Sequence, residues 1–225
     1  MATTFKTLTA NDIVNTRTLL HEAIPLTGTI SSGTYSDENI KTFSHGMFQS
    51  VYDYPYLSSS ANHIFDITQG YASDSSLSGT SAAHTQNAKK INIYNQMAQV
   101  LVGHDVDGNI QNFDQDGNIA AGGTKMKEVF FLNFARLLSK DEIKKDSFRM
   151  SILTGGTPDN RGSSTFTRTI GDYGASTSYL VNSPAGEYGI LYTSSAAANI
   201  NSGCGLIYYQ AGVAVITGGV FSGNL

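Results

Sequence analysis

Apolar residues recur at three- and four-residue steps in two stretches of the chain, which is typical of helices that bury one face. The first stretch runs from Asn11 to Ile24, and Pro25 ends it because proline cannot continue a helix. The second runs from about Asn87 to Val102. Its apolar positions are Ile91, Tyr94, Met97, Ala98, Leu101 and Val102. The pattern predicts two helices in the N-terminal half.

Short runs rich in β-branched and aromatic residues predict strands farther along the chain. These runs are Lys127 to Leu138, Ser147 to Leu153, Tyr188 to Thr193 and Leu206 to Thr217. Ser139 and Glu142 have the spacing of a capping box, which predicts one or two helical turns between the first two strands. The C-terminal half is therefore expected to be rich in β-structure.

The longest apolar stretch, Gly205 to Phe221, is interrupted by Gln210 and several glycines and falls short of the roughly 18 residues of a membrane span. It predicts buried strand. Two other segments predict loops because they are rich in Gly, Ser and Thr: Leu26 to Asn39, and Tyr71 to Thr85, which is expected to be long and exposed.

The composition favours a surface that is unusually poor in charge. Of the 225 residues, 14% are charged and 40% are hydrophobic, against roughly 25% charged in an average domain. Tyr, Ser, Thr and Gly replace the missing charges, and such residues can lie against a neighbouring subunit at little desolvation cost. The net charge of −4 and the lack of a Lys/Arg block argue against nucleic acid as a partner.

The single cysteine, Cys204, excludes an internal disulfide and is expected to be a small buried apolar group. The N-terminal residues show no apolar segment of a secretory signal, so export by the general pathway is not expected.

A fragment around Ser81 offers the most specific catalytic hypothesis. Gly79 to Ala83 resembles the segment that carries the nucleophile of subtilisin-like proteases. A triad also needs a histidine base and an aspartate that orients it. His45 is followed by Gly46 and Met47 rather than by the expected second histidine, and no matching aspartate precedes it. A loop without catalytic function is the favoured interpretation.

Asp-rich turns offer a calcium hypothesis. An EF-hand-like alternation covers Asn112, Asp114, Asp116, Gly117 and Ile119, and a shorter one covers Asp105, Asp107 and Asn109. Gly123 stands where a bidentate Glu would complete the shell, so weak calcium binding and plain Asx turns are both left open. The pairs Asp107-Gly108 and Asp116-Gly117 are also the dipeptides that type I′ turns prefer.

The remaining candidate groups do not form a recognisable site. The histidines occur without metal-binding spacing: His21, His45, His63, His84 and His104. Neither phosphate-loop motif occurs. An aromatic group, Phe43, Phe48, Tyr52, Tyr54 and Tyr56, favours core and interface packing over a sugar-stacking platform. No catalytic residue, cofactor-binding residue or metal ligand is therefore predicted.

Several blocks resemble a family of virion structural proteins of T-even-like contractile-tailed phages, mainly those of marine cyanobacteria. The blocks are Asn11 to Gly28, Phe43 to Thr68, Asn92 to Gly103, Met126 to Lys145 and Ser183 to Tyr192. The resemblance covers nearly the whole chain and implies a component of the phage particle, assembled in the host cytoplasm, with a further C-terminal region. It supplies no catalytic or binding residues.

These observations together predict one α+β domain over residues 1–225, with a soft division near residue 124. Two helices would lie in its N-terminal half, and a mainly antiparallel sheet or sandwich in its C-terminal half. The expected role is a non-enzymatic virion subunit that forms homo-oligomers and contacts other virion proteins through apolar and Tyr-rich patches. Tail or baseplate is the first expected position, and neck or head the second. The alternative is a receptor- or glycan-binding tail protein, with Tyr52, Asp53, Tyr54 and Tyr56 at the sugar site.

Overall fold

Antiparallel β-structure dominates the computed structural model, which describes residues 40–52, 63–78, 85–119, 122–134, 141–154, 166–193 and 203–220. The predicted helix over residues 11 to 24 and the predicted loop over residues 26 to 39 lie outside these ranges. The described strands form a single sheet that curves into a half-barrel, with little helix.

The strands follow one another in the sheet in the order β1-β2-β3-β4-β10-β9-β8-β6-β5, and β7 pairs with β8. All of these pairings are antiparallel. The strands are β1 (Ile40–Thr42), β2 (Gln49–Tyr52), β3 (His63–Tyr71), β4 (Glu128–Phe134), β5 (Arg149–Thr154), β6 (Phe166–Gly171), β7 (Leu180–Ser183), β8 (Gly186–Tyr192), β9 (Gly203–Tyr208) and β10 (Val213–Thr217).

Two α-helices accompany the sheet, α1 (Thr85–Leu101) and α2 (Ala175–Ser178), together with 3₁₀ turns at Ser76–Ser78 and Gly218–Val220. Helix α1 confirms the predicted second helix. It lies on one face of the sheet and buries Tyr94, Ala98 and Leu101. The Tyr94 hydroxyl donates to the carbonyl of Met126 at 2.8 Å, which ties the helix to the segment entering β4.

The β9–β10 hairpin forms the centre of the sheet and is buried on both faces. In β10, Val215 packs with the cluster under α1, whereas Ala214 and Ile216 pack on the opposite face. On that opposite face they meet Ile143 and Phe148, from the segment before β5. Because both faces are covered, the sequence of these strands is continuously apolar rather than alternating.

Three sequence-based strand predictions are confirmed by β4, β5 and β8, and the buried Cys204 is confirmed at 2% exposure. The predicted run from Leu206 to Thr217 is corrected, because it is two strands joined by a turn in which Gly212 has a φ of 66°. Strands β1 to β3 were not predicted. They join the same sheet, so the β-structure extends well into the N-terminal half.

One further prediction is wrong within the described residues. Residues 141–145, the described part of the predicted capping-box helix, are not helical, and the N–H of Ile143 donates to the carbonyl of Tyr209. The described part of the predicted exposed loop, residues 71–78, is exposed only in part. Tyr71, Ala72 and Ser75 are each at most 6% exposed, whereas Leu77 is 50% exposed. The Ser75 hydroxyl donates to Glu128 at 2.7 Å, so a small polar side chain packs there through a hydrogen bond.

Candidate interaction surface

The hairpin tip, defined as residues 43–48 between β1 and β2, presents aromatic rings on the outside of the sheet. Phe43 stacks on His45 with centroids 5.2 Å apart and packs against Phe48 at 5.0 Å. Phe48 is 37% exposed and Met47 is 39% exposed. These apolar side chains contact one another while remaining accessible to a partner.

Local hydrogen bonds fix the conformation of the hairpin tip. Gly46 has a φ of 65°, a region that favours glycine, and its N–H donates to the carbonyl of Phe43 at 3.0 Å. The carbonyl of Met47 accepts hydrogen bonds from the Thr68 hydroxyl and, at 3.4 Å, from the ammonium of Lys90. The tip is therefore held against β3 and α1.

A groove of about 560 Å³ runs between the hairpin tip, α1 and the end of the β9–β10 hairpin. Its apolar lining comes from Met47, Phe48, Ile93, Met97, Val100 and Val213. Val100 is 63% exposed although it belongs to the helix that covers the sheet. The groove and the hairpin tip thus form one continuous apolar surface.

Three lysines lie beside the hairpin tip. The ammonium of Lys41 lies 5.3 Å from the centroid of the Phe43 ring. Lys89 donates to the carbonyl of His45 at 3.5 Å, and Lys90 donates to that of Met47. Partial burial lowers the pKa of Lys90, because desolvation disfavours its charged form. A negative group placed beside these lysines would gain favourable interactions.

Asp66 is the one acidic residue among the described side chains that line the groove. It accepts a hydrogen bond from the Ser50 hydroxyl at 2.6 Å, and the Nε2 atom of His63 lies 2.7 Å from the same oxygen. The serine therefore donates to the carboxylate rather than to the imidazole. Nucleophilic activation requires a serine hydrogen-bonded to its base, so this trio has the arrangement of a structural cluster.

The structure separates the aromatic residues that the sequence had grouped. Phe43 and Phe48 meet at the hairpin tip, whereas Tyr52 packs on His63 with ring centroids 5.1 Å apart. Tyr54, Tyr56 and the neighbouring Asp53 lie outside the described residues, as do Ser81 and His84. The sugar-site and protease hypotheses thus stay predictions.

Most of the described tyrosines are buried, whereas Tyr54 and Tyr56, named in the expected Tyr-rich surface, lie outside the described residues. Tyr94, Tyr188, Tyr208 and Tyr209 are each at most 1% exposed, and Tyr179 alone among the described tyrosines reaches 38%. The interior accommodates the hydroxyls through hydrogen bonds, for example from Tyr188 to the Asn182 side chain at 2.6 Å. Burial raises the pKa of Tyr188 to about 12, so it remains a neutral donor. The exposed apolar surface is formed by Phe, Met and Val instead.

The Asp-rich turns are stabilised by their own carboxylates. Asp105 accepts from the backbone N–H groups of Asp107 and Asn109 at 2.9 and 2.8 Å. Asp114 accepts from the N–H of Asp116 at 3.2 Å and pairs with Lys125 at 2.5 Å. The Asx-turn interpretation is confirmed. No group of three His, Cys, Asp or Glu side chains within the described ranges is arranged to hold a metal ion.

The expected turn type is not formed at either Asp-Gly pair. Gly108 and Gly117 have φ values of 83° and 73°, but Asp146 is the one described non-glycine residue with a positive φ. Type I′ turns require positive φ at both central residues. Asp107 and Asp116 therefore do not adopt the φ that this turn type requires. The Asp116 carboxylate accepts a hydrogen bond from the N–H of Asn118 at 2.9 Å.

Asp172 is the most deeply buried carboxylate in the described structure and has a structural role. Its oxygens accept from the N–H of Phe148 at 2.9 Å, from Arg149 at 2.9 Å and from the Tyr209 hydroxyl at 3.0 Å. Burial raises its pKa, and these donors oppose the rise. Strand β6 pairs with β8 at a single residue pair, and the hydrogen bond from Tyr209 to Asp172 is a further link between the β5–β6 hairpin and the rest of the sheet.

The apolar spacing along α1 could have indicated the groove. It was obscured because the spacing of the residues buried in the core dominates this helix. Ile93, Met97 and Val100 follow i, i+4, i+7 spacing, and this stripe runs along α1 from the buried Ile93 to the exposed Val100. No sequence pattern indicates that the hairpin tip is exposed, because its exposure depends on the position of β1 at the end of the described strand order.

Comparisons with protein-family models, curated proteins and solved structures gave no match. Among the described residues, no helix has the length and apolar character needed to cross a membrane.

Proposed function

We propose that the chain is a non-enzymatic structural subunit of a tailed-phage particle that assembles with other virion proteins. The observation that carries this proposal is the continuous apolar surface formed by the hairpin tip and the groove. Phe48, Met47 and Val100 are exposed and line the same groove. The other exposed large apolar side chains of the described residues do not line it: Ile40, Leu77, Val106, Tyr179 and Val181. Grouped exposure of this kind is characteristic of sites that contact another macromolecule.

The resemblance over five blocks of sequence supports a virion as the assembly. Within the particle, we assign the chain first to the tail or baseplate and second to the neck or head. It would contact copies of itself and other virion proteins, since subunits of such particles occur in symmetric sets. We include the predicted helix over residues 11 to 24 in the same domain.

Peptide mass spectrometry of purified particles tests this role. Particles of a phage that encodes the sequence are purified, dissociated into tail and head fractions, and digested. We expect peptides of the chain in a fixed ratio to other virion proteins, enriched in the tail fraction. Detection in infected cells but not in particles would contradict the proposal.

A glycan array distinguishes assembly from the alternative role in receptor binding. The isolated chain is expected to show no specific glycan signal, because the described part of the aromatic group packs against protein side chains. Specific binding that is lost in a Tyr52→Ala, Tyr54→Ala, Tyr56→Ala variant would instead support receptor recognition.

A further inference from the structure

We propose that the groove binds an acidic, amphipathic segment of another virion protein. Its apolar side chains would enter the groove, and its carboxylates would lie against Lys89 and Lys90. This inference rests on the proposed role of the chain as an assembling subunit, and it adds the chemical character of the partner.

The shape of the groove fits one face of a helical segment. Ile93, Met97 and Val100 cover about 10 Å along α1, since a helix rises 1.5 Å per residue. Two turns of a bound helix span about the same distance, and its anchors would contact Met97 and Val100, with the buried Ile93 at the floor of the groove. Met47 and Met97 supply flexible side chains that adapt to the shape of such anchors.

The charge distribution favours an acidic partner. The chain as a whole carries a net charge of −4, yet α1 contains two lysines and no acidic residue. Lys41 adds a third cation beside the Phe43 ring. The acid that lines the groove, Asp66, is already engaged by Ser50 and His63. An apolar segment flanked by carboxylates is therefore complementary to the groove, whereas a basic segment is not.

Lys90 marks the position at which a carboxylate of the partner would bind. Its ammonium is partly desolvated and donates to the carbonyl of Met47 at 3.4 Å, at the junction of hairpin tip and groove. A carboxylate of the partner at this junction would compensate the desolvation with a charge-assisted hydrogen bond. Such an interaction steers association and weakens as salt increases.

A peptide selection on the full chain tests the inference. A library of random 16-residue peptides is selected on the wild-type chain and counter-selected on Val100→Asp. Val100 is 63% exposed, so this variant is expected to fold normally. Val106→Asp provides the matched control, because Val106 is fully exposed at 102% in the Asp105–Gly108 turn.

The expected result is enrichment of peptides with negative net charge and apolar residues at i, i+3 or i+4, and i+7. Their binding, measured by fluorescence anisotropy, should weaken at least tenfold in Val100→Asp and in the Lys89→Glu, Lys90→Glu variant, with less than a twofold change in Val106→Asp. Thermal unfolding of each variant verifies folding. A loss of binding in the lysine variant without a loss of folding assigns the effect to charge.

Enrichment of neutral or basic peptides, no enrichment, or equal binding to Val100→Asp would overturn the inference. Concentration-dependent self-association that Val100→Asp abolishes would assign the groove to a second copy and would likewise overturn it. The presence of the chain in particles is measured independently. If the selection fails, the proposed virion role is not contradicted. If the chain is absent from particles, the peptide result is not contradicted.

Discussion

Two hairpins of the same sheet differ in how far their apolar side chains are exposed. The β9–β10 hairpin lies between β8 and β4, and both of its faces are covered by other parts of the chain. The β1–β2 hairpin lies at one end of the described strand order, and its tip exposes Phe48 and Met47. The central hairpin thus buries its apolar groups within the chain, whereas the β1–β2 hairpin leaves two large apolar side chains exposed.

This contrast predicts opposite responses to substitution. Changes in the central hairpin should affect folding, because its neighbours are close-packed and cannot relax. Changes at the hairpin tip and in the groove should leave folding nearly unchanged and affect association. The predicted effects decrease from the centre of the sheet to its edge.

The largest effect is expected for Gly205→Ala in β9. An added Cβ would overlap the carbonyl oxygen of Val215 and lie 3.1 Å from the Cα of Ile216, both in the backbone of the paired strand. Backbone atoms in the centre of a sheet cannot move aside, so we expect a loss of about 4 kcal/mol in the free energy of unfolding. Urea denaturation followed by circular dichroism measures it.

Gly219→Ala provides the control for the glycine substitution. The atom nearest to an added Cβ would be the Thr217 hydroxyl oxygen at 3.6 Å, an ordinary contact distance, so a change within about 0.5 kcal/mol is expected. Equal losses for the two variants would show that the central hairpin is not the rigid element described above.

An intermediate effect is expected for Asp172→Ala, which removes the acceptor of the Tyr209 hydroxyl at the β9–β10 turn. The substitution leaves that hydroxyl, the N–H of Phe148 and the guanidinium of Arg149 without this partner. Losing the acceptor of a buried network costs about 3 kcal/mol. The same denaturation assay measures the loss, and a change below about 1 kcal/mol would refute the role given to Asp172.

Asp172→Asn isolates the titration of this carboxyl group. Burial raises the pKa of Asp172, so just above the ordinary aspartate pKa of about 3.9 the folded chain retains a proton that the unfolded chain has lost. The resulting stabilisation is fully present below the ordinary pKa and is lost as pH rises through the raised value. The stability of wild type relative to Asp172→Asn should therefore decrease as pH rises through this window. A pH-independent difference would count against the raised pKa.

The smallest effect on stability is expected for the Phe48→Ser, Val100→Ser variant. Both side chains are exposed, so the free energy of unfolding should change by about 0.5 kcal/mol or less. Fluorescence of a dye that binds apolar surfaces should fall relative to Val106→Ser, whose side chain lies outside the groove. Unchanged dye binding would show that the two residues do not form the accessible apolar surface.

The sequence predicted the elements whose pattern reflects one buried face or a strong strand composition. Helix α1 was found from residues 91 to 102, and β4, β5 and β8 from their β-branched and aromatic residues. The turn within the run from 206 to 217 was missed, because a hairpin buried on both faces shows no alternation that would mark where one strand ends. The bends after residue 140 reflect tertiary contacts such as that of Ile143 with Tyr209, which override local capping signals.

The candidate surface was less predictable than the fold. The sequence identified Phe43 and Phe48 as packing residues. It could not show the exposure of the hairpin tip, because no local pattern predicts that β1 lies at the end of the described strand order. Tyrosines were expected at the surface because of their general enrichment at interfaces. The sheet instead uses them as large core residues, with Tyr94, Tyr188 and Tyr209 each donating a hydrogen bond inside the chain.

A reconstruction of the intact particle, with side chains resolved, tests the central claim most directly. The account predicts that another protein chain covers the hairpin tip and the groove, contacting Phe48, Met97 and Val100, with carboxylates near Lys89 and Lys90. A particle in which these residues face solvent, while the chain is attached through other surfaces, would contradict it.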